Sequence, residues 1–377
     1  MELELKNLYD DFRDADTIKA YAKIIKEDAK KLHKTINIME VCGGHTHTIM
    51  KYGIPQLLPE NIKFIHGPGC PVCIMPKERI DHAYVLSMQE DVILVTLGDM
   101  IKVPGSKGSL QDARAKGADV RFVYSPMDCI KIAEKNPDKK IIFFAIGFET
   151  TTPMTAVLLD AVIKKGITNI FFHINHVTVP EAMKALIDSK DDSVKSTIDA
   201  FLGPSHVSVI SGSKIYETFP REYHKPVVVA GFEPVDVMQS ISMAVKQFIE
   251  NRCELEVQYK RLVSYDGNIK AQEMIDKYFQ KASVFKWRGI GNIANSGLKL
   301  REKYKKYDAE SVYKDILPLE EIQDNKLCIC GDILRGVENP PECTIFGTAC
   351  KPATPIGSCM VSSEGACAAY YKYGNLI

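Results

Sequence analysis

The chain has 377 residues, 45% hydrophobic and 25% charged, the balance of an ordinary globular protein long enough for two or three domains. Its 48 basic and 48 acidic residues cancel to a formal net charge of +0 and no basic block stands out, which argues against nucleic acid or an anionic membrane as the main partner. The eleven cysteines are many, and in a reducing compartment clustered cysteines suggest metal or redox chemistry rather than structural disulfides.

The opening Met1-Glu2-Leu3-Glu4-Leu5-Lys6 is mixed and charged, without the basic start and apolar run of a secretory signal. Apolar runs such as Ile141 to Ile146 are far too short to span a bilayer, so the expected location is cytoplasmic. Residues 1–33 read as helix, with Ile18, Tyr21, Ile24 and Ile25 at helical spacing. Short β-branched runs then alternate with helical stretches. The strand candidates are Ile36–Val41, Ile62–Ile65, Val92–Leu97, Val120–Tyr124, Ile141–Ile146, Ile170–His173 and Val227–Ala230. That rhythm predicts an α/β fold of parallel sheets covered by helices. After Glu233 the pattern is helical to about Phe279. Beyond Leu317 glycine, proline and cysteine take over, as in a small domain organised by a cofactor.

An internal repeat suggests two similar lobes facing a cleft. Ile38 to Thr48 matches Phe143 to Thr152 in kind, Phe64 to Cys70 resembles Phe201 to His206, and Val92 to Asp99 resembles Val228 to Glu233. This reading divides the chain into an α/β lobe at 34–135, a second at 136–250, and a mostly helical, Cys-rich iron–sulfur domain from 1–33 with 251–377. Binding groups in open α/β sheets lie beyond the carboxyl ends of strands. Cys42, Cys70, Asp99, Glu149, His206 and Glu233 all follow strand-like runs, so facing lobes would gather them at one cleft.

In Cys42-Gly43-Gly44-His45-Thr46-His47 the glycines let a ligand approach the backbone. A helix start at Cys42 would stabilise the thiolate that binds metals. The bland alternative is a buried cysteine beside a glycine turn. In Gly67-Pro68-Gly69-Cys70-Pro71-Val72-Cys73, two cysteines three apart can chelate a metal or cycle between dithiol and disulfide. Glu149, within Gly147 to Pro153, is either a site carboxylate or part of a capped helix start, and Asp99 is open in the same way. His206, in Pro204-Ser205-His206-Val207-Ser208, is the weakest of these signals.

The strongest physical signal is the tail, where Cys328, Cys330, Cys343, Cys350, Cys359 and Cys367 crowd the last fifty residues. Iron–sulfur clusters take four thiolates, and the long irregular spacings fit a cluster better than the paired knuckles of zinc sites. Cys328 and Cys330, two apart, would point the same way in extended chain. Ser362-Ser363-Glu364 reads as a helix start ahead of Cys367.

Taken together, these motifs resemble the HypD family of nickel–iron hydrogenase maturation proteins over nearly the whole chain. The tail fits that family's C-x14-C-x6-C-x16-C pattern at Cys328, Cys343, Cys350 and Cys367. The resemblance implies two α/β lobes and a third domain holding a 4Fe–4S cluster on those four cysteines. It implies a scaffold for assembling the iron centre with its cyanide and carbon monoxide ligands, built with the small chaperone HypC and with the cyanide donor HypE. It also implies Cys42 as the thiolate for that transient iron, Cys70 and Cys73 as a redox pair, and Cys330 with Cys359 as a second pair. The expected state is a monomer in a hetero-complex, an assembly scaffold with a redox role rather than a stand-alone enzyme. Low-spin iron with such ligands needs a soft, sheltered anchor, and His45 and His47 are candidates for moving protons there. A stand-alone iron–sulfur thiol–disulfide oxidoreductase and a zinc-bound binding protein are the alternatives from other classes.

Overall fold

Seven short apolar runs do become parallel strands in the computed structural model, which describes residues 10–189 and 198–374. They are β1 (Ile36–Glu40), β2 (Ile62–His66), β3 (Val92–Leu97), β4 (Val120–Val123), β5 (Lys140–Gly147), β6 (Ile170–His176) and β8 (Val227–Ala230). Two further strands, β7 (Ala200–Pro204) and β9 (Leu255–Val257), complete a five-stranded sheet of order β2-β1-β7-β8-β9. The second sheet has the order β4-β3-β5-β6. All neighbours in both sheets run parallel. The two-sheet α/β class expected from the sequence is therefore correct.

The division into lobes is not. β1 and β2 share one sheet with β7, β8 and β9, while the whole of β3 to β6 forms the other. The boundaries 34–135 and 136–250 thus cut across both sheets. The repeat fails for the same reason: of its matched pairs, β2 and β7 share one sheet, and β3 and β8 belong to different sheets in the opposite order to β1 and β5. A strand's own residues say that it is buried on both faces, but not which partners cover its edges.

The N-terminal helix Ala15–Ala29 also belongs to the first lobe. Asp14 caps it by accepting the Thr17 N–H at 2.7 Å. Its Ala22, Ile25 and Ala29 join Ile241 and Val245 of helix Pro234–Ile249 over Ile38, Leu202 and Val228 of the sheet. In the second sheet, alternation assigns Ile93, Val95 and Phe143 to one core and Leu94, Ile142 and Phe144 to another. Helices Thr152–Lys164 and Lys77–Ser87 cover these two faces.

The region from 251 onward is less helical than expected. β10 (Phe279–Trp287) and β11 (Gly291–Leu300) form an antiparallel hairpin whose turn glycines, Gly289 and Gly291, have φ of 77° and 102°. The tail beyond it holds only short elements, ending with helix Ala366–Tyr373.

Candidate metal centre and thiol site

The carboxyl ends of β1, β2, β3, β5 and β7 converge on a cavity of about 430 Å³ lined by Cys42, Asp99, Thr150, His206 and Glu364. Cys42 lies two residues beyond the end of β1 and stands at the N-cap of helix Gly43–Lys51. It is 3% exposed, and its Sγ lies 3.8 Å from His206 Nε2. Burial pushes the thiol well above its ordinary range, and the Glu364 and Glu40 carboxyls add to this. The N–H groups of Gly44 and His45 pull the other way and lose. This corrects the expectation of a thiolate stabilised by the helix start: loss of water outweighs the dipole of a short helix. The folded environment therefore favours the protonated thiol.

His206, not His45 or His47, is brought to the thiol. Burial pulls His206 down to about 4, so the ring is neutral at physiological pH. His45 donates from Nε2 to the carbonyls of Ala230 at 3.3 Å and Gly231 at 3.1 Å, and burial holds it also at about 4. Phe232 lies stacked between the His45 and His206 rings, with centroids 4.6 and 4.9 Å away. His47 packs edge-on against Tyr373. Neither His45 nor His47 lines the cavity.

Asp99, in the 3₁₀ turn after β3, does line it. So does Glu364, which sequence reasoning used only as a helix start; desolvation and the Asp99 carboxylate both raise its carboxyl. Glu149 lies between the cavity-lining Phe148 and Thr150 but turns away. Its Oε1 accepts the Val179 N–H at 3.0 Å, its Oε2 is buried without a partner, and burial pushes the carboxyl up to about 8. Glu233 is elsewhere, held by Arg13 at 2.6 and 2.8 Å.

Gly69, Pro71 and Val72 form part of the cavity wall, with the Cys70 and Cys73 thiols buried behind it. The two are not bridged, and the Cys73 N–H points at Cys70 Sγ at 3.3 Å. Burial raises the Cys73 thiol, and Cys70, Glu364 and Cys367 raise it further. The Ser358 hydroxyl donates to the Cys73 carbonyl, so the C-x-x-C loop rests on the tail. Cys330 and Cys359 form a disulfide, with Cα atoms 6.5 Å apart. Cys330 and Cys328 therefore do not point the same way: Cys330 opens the short helix Cys330–Leu334 and Cys328 joins the other thiols.

Cys328, Cys343, Cys350 and Cys367 form one electrostatically coupled group within an apolar core that also contains Cys70 and Cys73. The Ile356 N–H points at Cys350 Sγ at 3.4 Å. At Gly357 the backbone runs so close to Cys328 that an added Cβ would lie 2.7 Å from its Sγ. Four converging thiols in an apolar setting, with a backbone donor and no side chain in the way, fit the ligand set of an iron–sulfur cluster.

In comparison with protein families, residues 16–374 match the one described as "HypD: Hydrogenase formation hypA family". The chain belongs to the HypD family. The hydrogenase maturation factor HypD2 of Bradyrhizobium diazoefficiens is 51% identical, the alignment covering 97% of this chain and 96% of that protein. HypD of Rhizobium leguminosarum bv. viciae is 48% identical over 97% of this chain and 95% of its own. HypD of Escherichia coli is 43% identical over 97% of each. Among the described residues of this HypD-family chain, no helix is long and apolar enough to cross a membrane.

A second polar cluster escaped the sequence reading because its members are scattered singly. His82, His173 and Glu310 offer ligand atoms within 4.8 Å of one another. Their hydrogen bonds have a definite polarity. Arg79 Nε donates to Asn175 Oδ1 at 2.6 Å and Asn175 Nδ2 donates to the His173 carbonyl at 3.0 Å, which fixes the amide. Nδ2 then also donates to His173 Nδ1, leaving Nε2–H to donate to His82 Nδ1 at 3.2 Å. His82 Nε2–H donates to the Pro318 carbonyl at 3.0 Å. A cation between the rings would displace the proton on His173 Nε2 and sit beside the Arg79 guanidinium, which already pairs with Glu310. The cluster reads as a clamp between β6, helix Lys77–Ser87 and the tail.

Proposed function

We propose that this chain is the scaffold on which the iron centre of nickel–iron hydrogenases receives its cyanide and carbon monoxide ligands, working with a HypC-like chaperone and a HypE-like cyanide donor. Hydrogenase maturation is the role of the family to which it belongs. The observation that carries the finer reading is the single thiol, Cys42, in a cavity walled by both sheets and the tail. One soft thiolate from this chain leaves the remaining coordination positions of the incoming iron to its small ligands and to a partner. His206 is the neutral base within reach as the Cys42 proton leaves.

The tail supports the redox part of the proposal. Cys328, Cys343, Cys350 and Cys367 would hold a 4Fe–4S cluster, which supplies one-electron chemistry when bound. Opening the Cys330–Cys359 bridge takes two electrons and two protons, and closing Cys70 with Cys73 releases as many. The buried position of these thiols, with Cys73 and Cys359 both 0% exposed, disfavours the stand-alone oxidoreductase, since an external dithiol cannot reach them.

Infrared spectroscopy of the complex with HypC tests the anchor, because bound cyanide and carbon monoxide absorb where protein does not. Cys42→Ala is expected to keep the fold and the cluster and to lose those bands. Bands at full strength in that variant would place the iron elsewhere and overturn the assignment.

A further inference from the structure

Beneath the Cys42 loop lies a buried polar network that iron binding does not itself require. Glu40, the last residue of β1, is 0% exposed, and His66, the last residue of β2, is 2% exposed. The Glu40 carboxyl accepts the backbone N–H of Cys42 at 3.2 Å and the hydroxyl of Thr46 from the following helix. It also faces His66 Nδ1 at 2.6 Å. His66 Nε2 bonds in turn to the Tyr370 hydroxyl at 3.1 Å, and the two rings meet edge to face. Tyr370 lies on helix Ala366–Tyr373, one turn beyond the ligand candidate Cys367. A single chain of hydrogen bonds therefore joins the main chain of the iron-binding residue to the helix that carries a cluster thiol.

Two further contacts run the same way. Gly43 packs so closely on Glu364 that any side chain there would overlap it, and His47 meets Tyr373. Ser362, Ser363 and Glu364, just before the same helix, supply one wall of the cavity. The Cys42 site is thus incomplete without the tail, and the tail has little regular structure besides this helix to hold it in place. Metal binding by such a segment is also its folding.

We propose that Glu40, His66 and Tyr370 are positioning residues that tie the Cys42 loop to the cluster-bearing helix, so that the Cys42 site closes only once the cluster site has folded. Loading then has a built-in order, with the tail organised first and iron captured second. The inference rests on the reading of the tail as a cluster site, and on Cys42 as the anchor only for its meaning, because its test needs no iron at Cys42.

The readout is the alkylation rate of Cys42, followed by mass spectrometry in the full-length protein under anaerobic conditions. Removing the cluster with a chelator is expected to accelerate alkylation. Tyr370→Phe, with its cluster shown to be retained by iron and sulfide analysis, is expected to accelerate it about fivefold, the change in an opening equilibrium from losing one hydrogen bond worth about 1 kcal/mol. Cys129, buried in the second lobe, serves as control and is expected not to change. An unchanged Cys42 rate in both experiments overturns the proposal. So does a rise on chelation with none in Tyr370→Phe, or an equal rise at Cys129, which would signal general unfolding. Loss or survival of the infrared bands in Cys42→Ala bears on the iron anchor alone, so the two readings fail separately.

Discussion

Cys42 is held by two parallel sheets, whereas Cys328, Cys343, Cys350 and Cys367 are held by short turns and by one another. β1 ends at Glu40, its register with β2 and β7 is fixed along the strand, and the helix after Cys42 packs on a core that reaches from Ile38 to Val245. The tail thiols instead hang on a five-residue helix, two 3₁₀ turns and one eight-residue helix. Burial raises Cys42, Cys328 and Cys367 alike, so none is a ready thiolate. The difference is what surrounds them. Around Cys42 the fold leaves an open cavity. In the tail the thiols lie within electrostatic reach of one another in an apolar setting, and a cluster bound there would take the place of regular structure.

The largest expected effect breaks the tail and spares the sheets. Cys343→Ala should lose the iron and labile sulfide of the cluster and unfold the tail, while the far-ultraviolet signal of the two sheets persists. A full cluster in that variant would remove Cys343 from the ligand set. Next in size is the tail's own bridge. Cys330→Ala opens a loop spanning 29 residues, for which chain entropy gives a loss of about 3.6 kcal/mol, measurable by denaturant unfolding with a tail probe. Thiol labelling after mild oxidation should protect Cys330 and Cys359 together, and independent labelling would argue against the pair.

A third test probes the pre-built side. Glu149 has a folded pKa raised from 4.5 to about 8, so its contribution to stability is full below 4.5 and is lost as pH rises through about 8. Glu149→Gln keeps the acceptor for the Val179 N–H and cannot ionise. It should be stabilising relative to the parent by an amount that grows across that window to the order of a few kcal/mol and then levels off. A difference independent of pH between 5 and 9 would contradict the buried neutral acid. The smallest effect is expected at Glu233. Its pairing with Arg13 is partly exposed, so Glu233→Gln should change stability by less than about 1 kcal/mol and leave the infrared bands in place. A loss of those bands would return Glu233 to the site from which its position removes it.

Local pattern made the strands β1 to β6 and β8 legible, because each is a short β-branched run bounded by turn residues. β7 is strand-like in sequence but not among the strand candidates, because Gly203 and Pro204 cut its apolar run short, although Pro204 is tolerated at its last position. β9 is only three residues long, and the β10–β11 hairpin alternates polar and apolar residues with a bulge near Ala282. The motifs around Cys42, Cys70 and Cys328 were sufficient for the family, since glycine and cysteine spacings are properties of sequence alone. Cys42, Asp99 and His206 were found as cavity residues by the rule that sites follow strand ends.

What only the tertiary structure decided is which of those ends meet. Phe232, Glu364 and the Glu40–His66–Tyr370 network lie far apart in sequence and carry no motif of their own. The exclusion of His45, His47, Glu149 and Glu233 from the cavity wall depends on side-chain direction, which follows from packing. The state of Cys42 shows the same limit. Its place at a helix start is written in the sequence and argues for a thiolate. The loss of water that reverses that argument exists only when both sheets and the tail close around the thiol, because burial is a property of the whole fold.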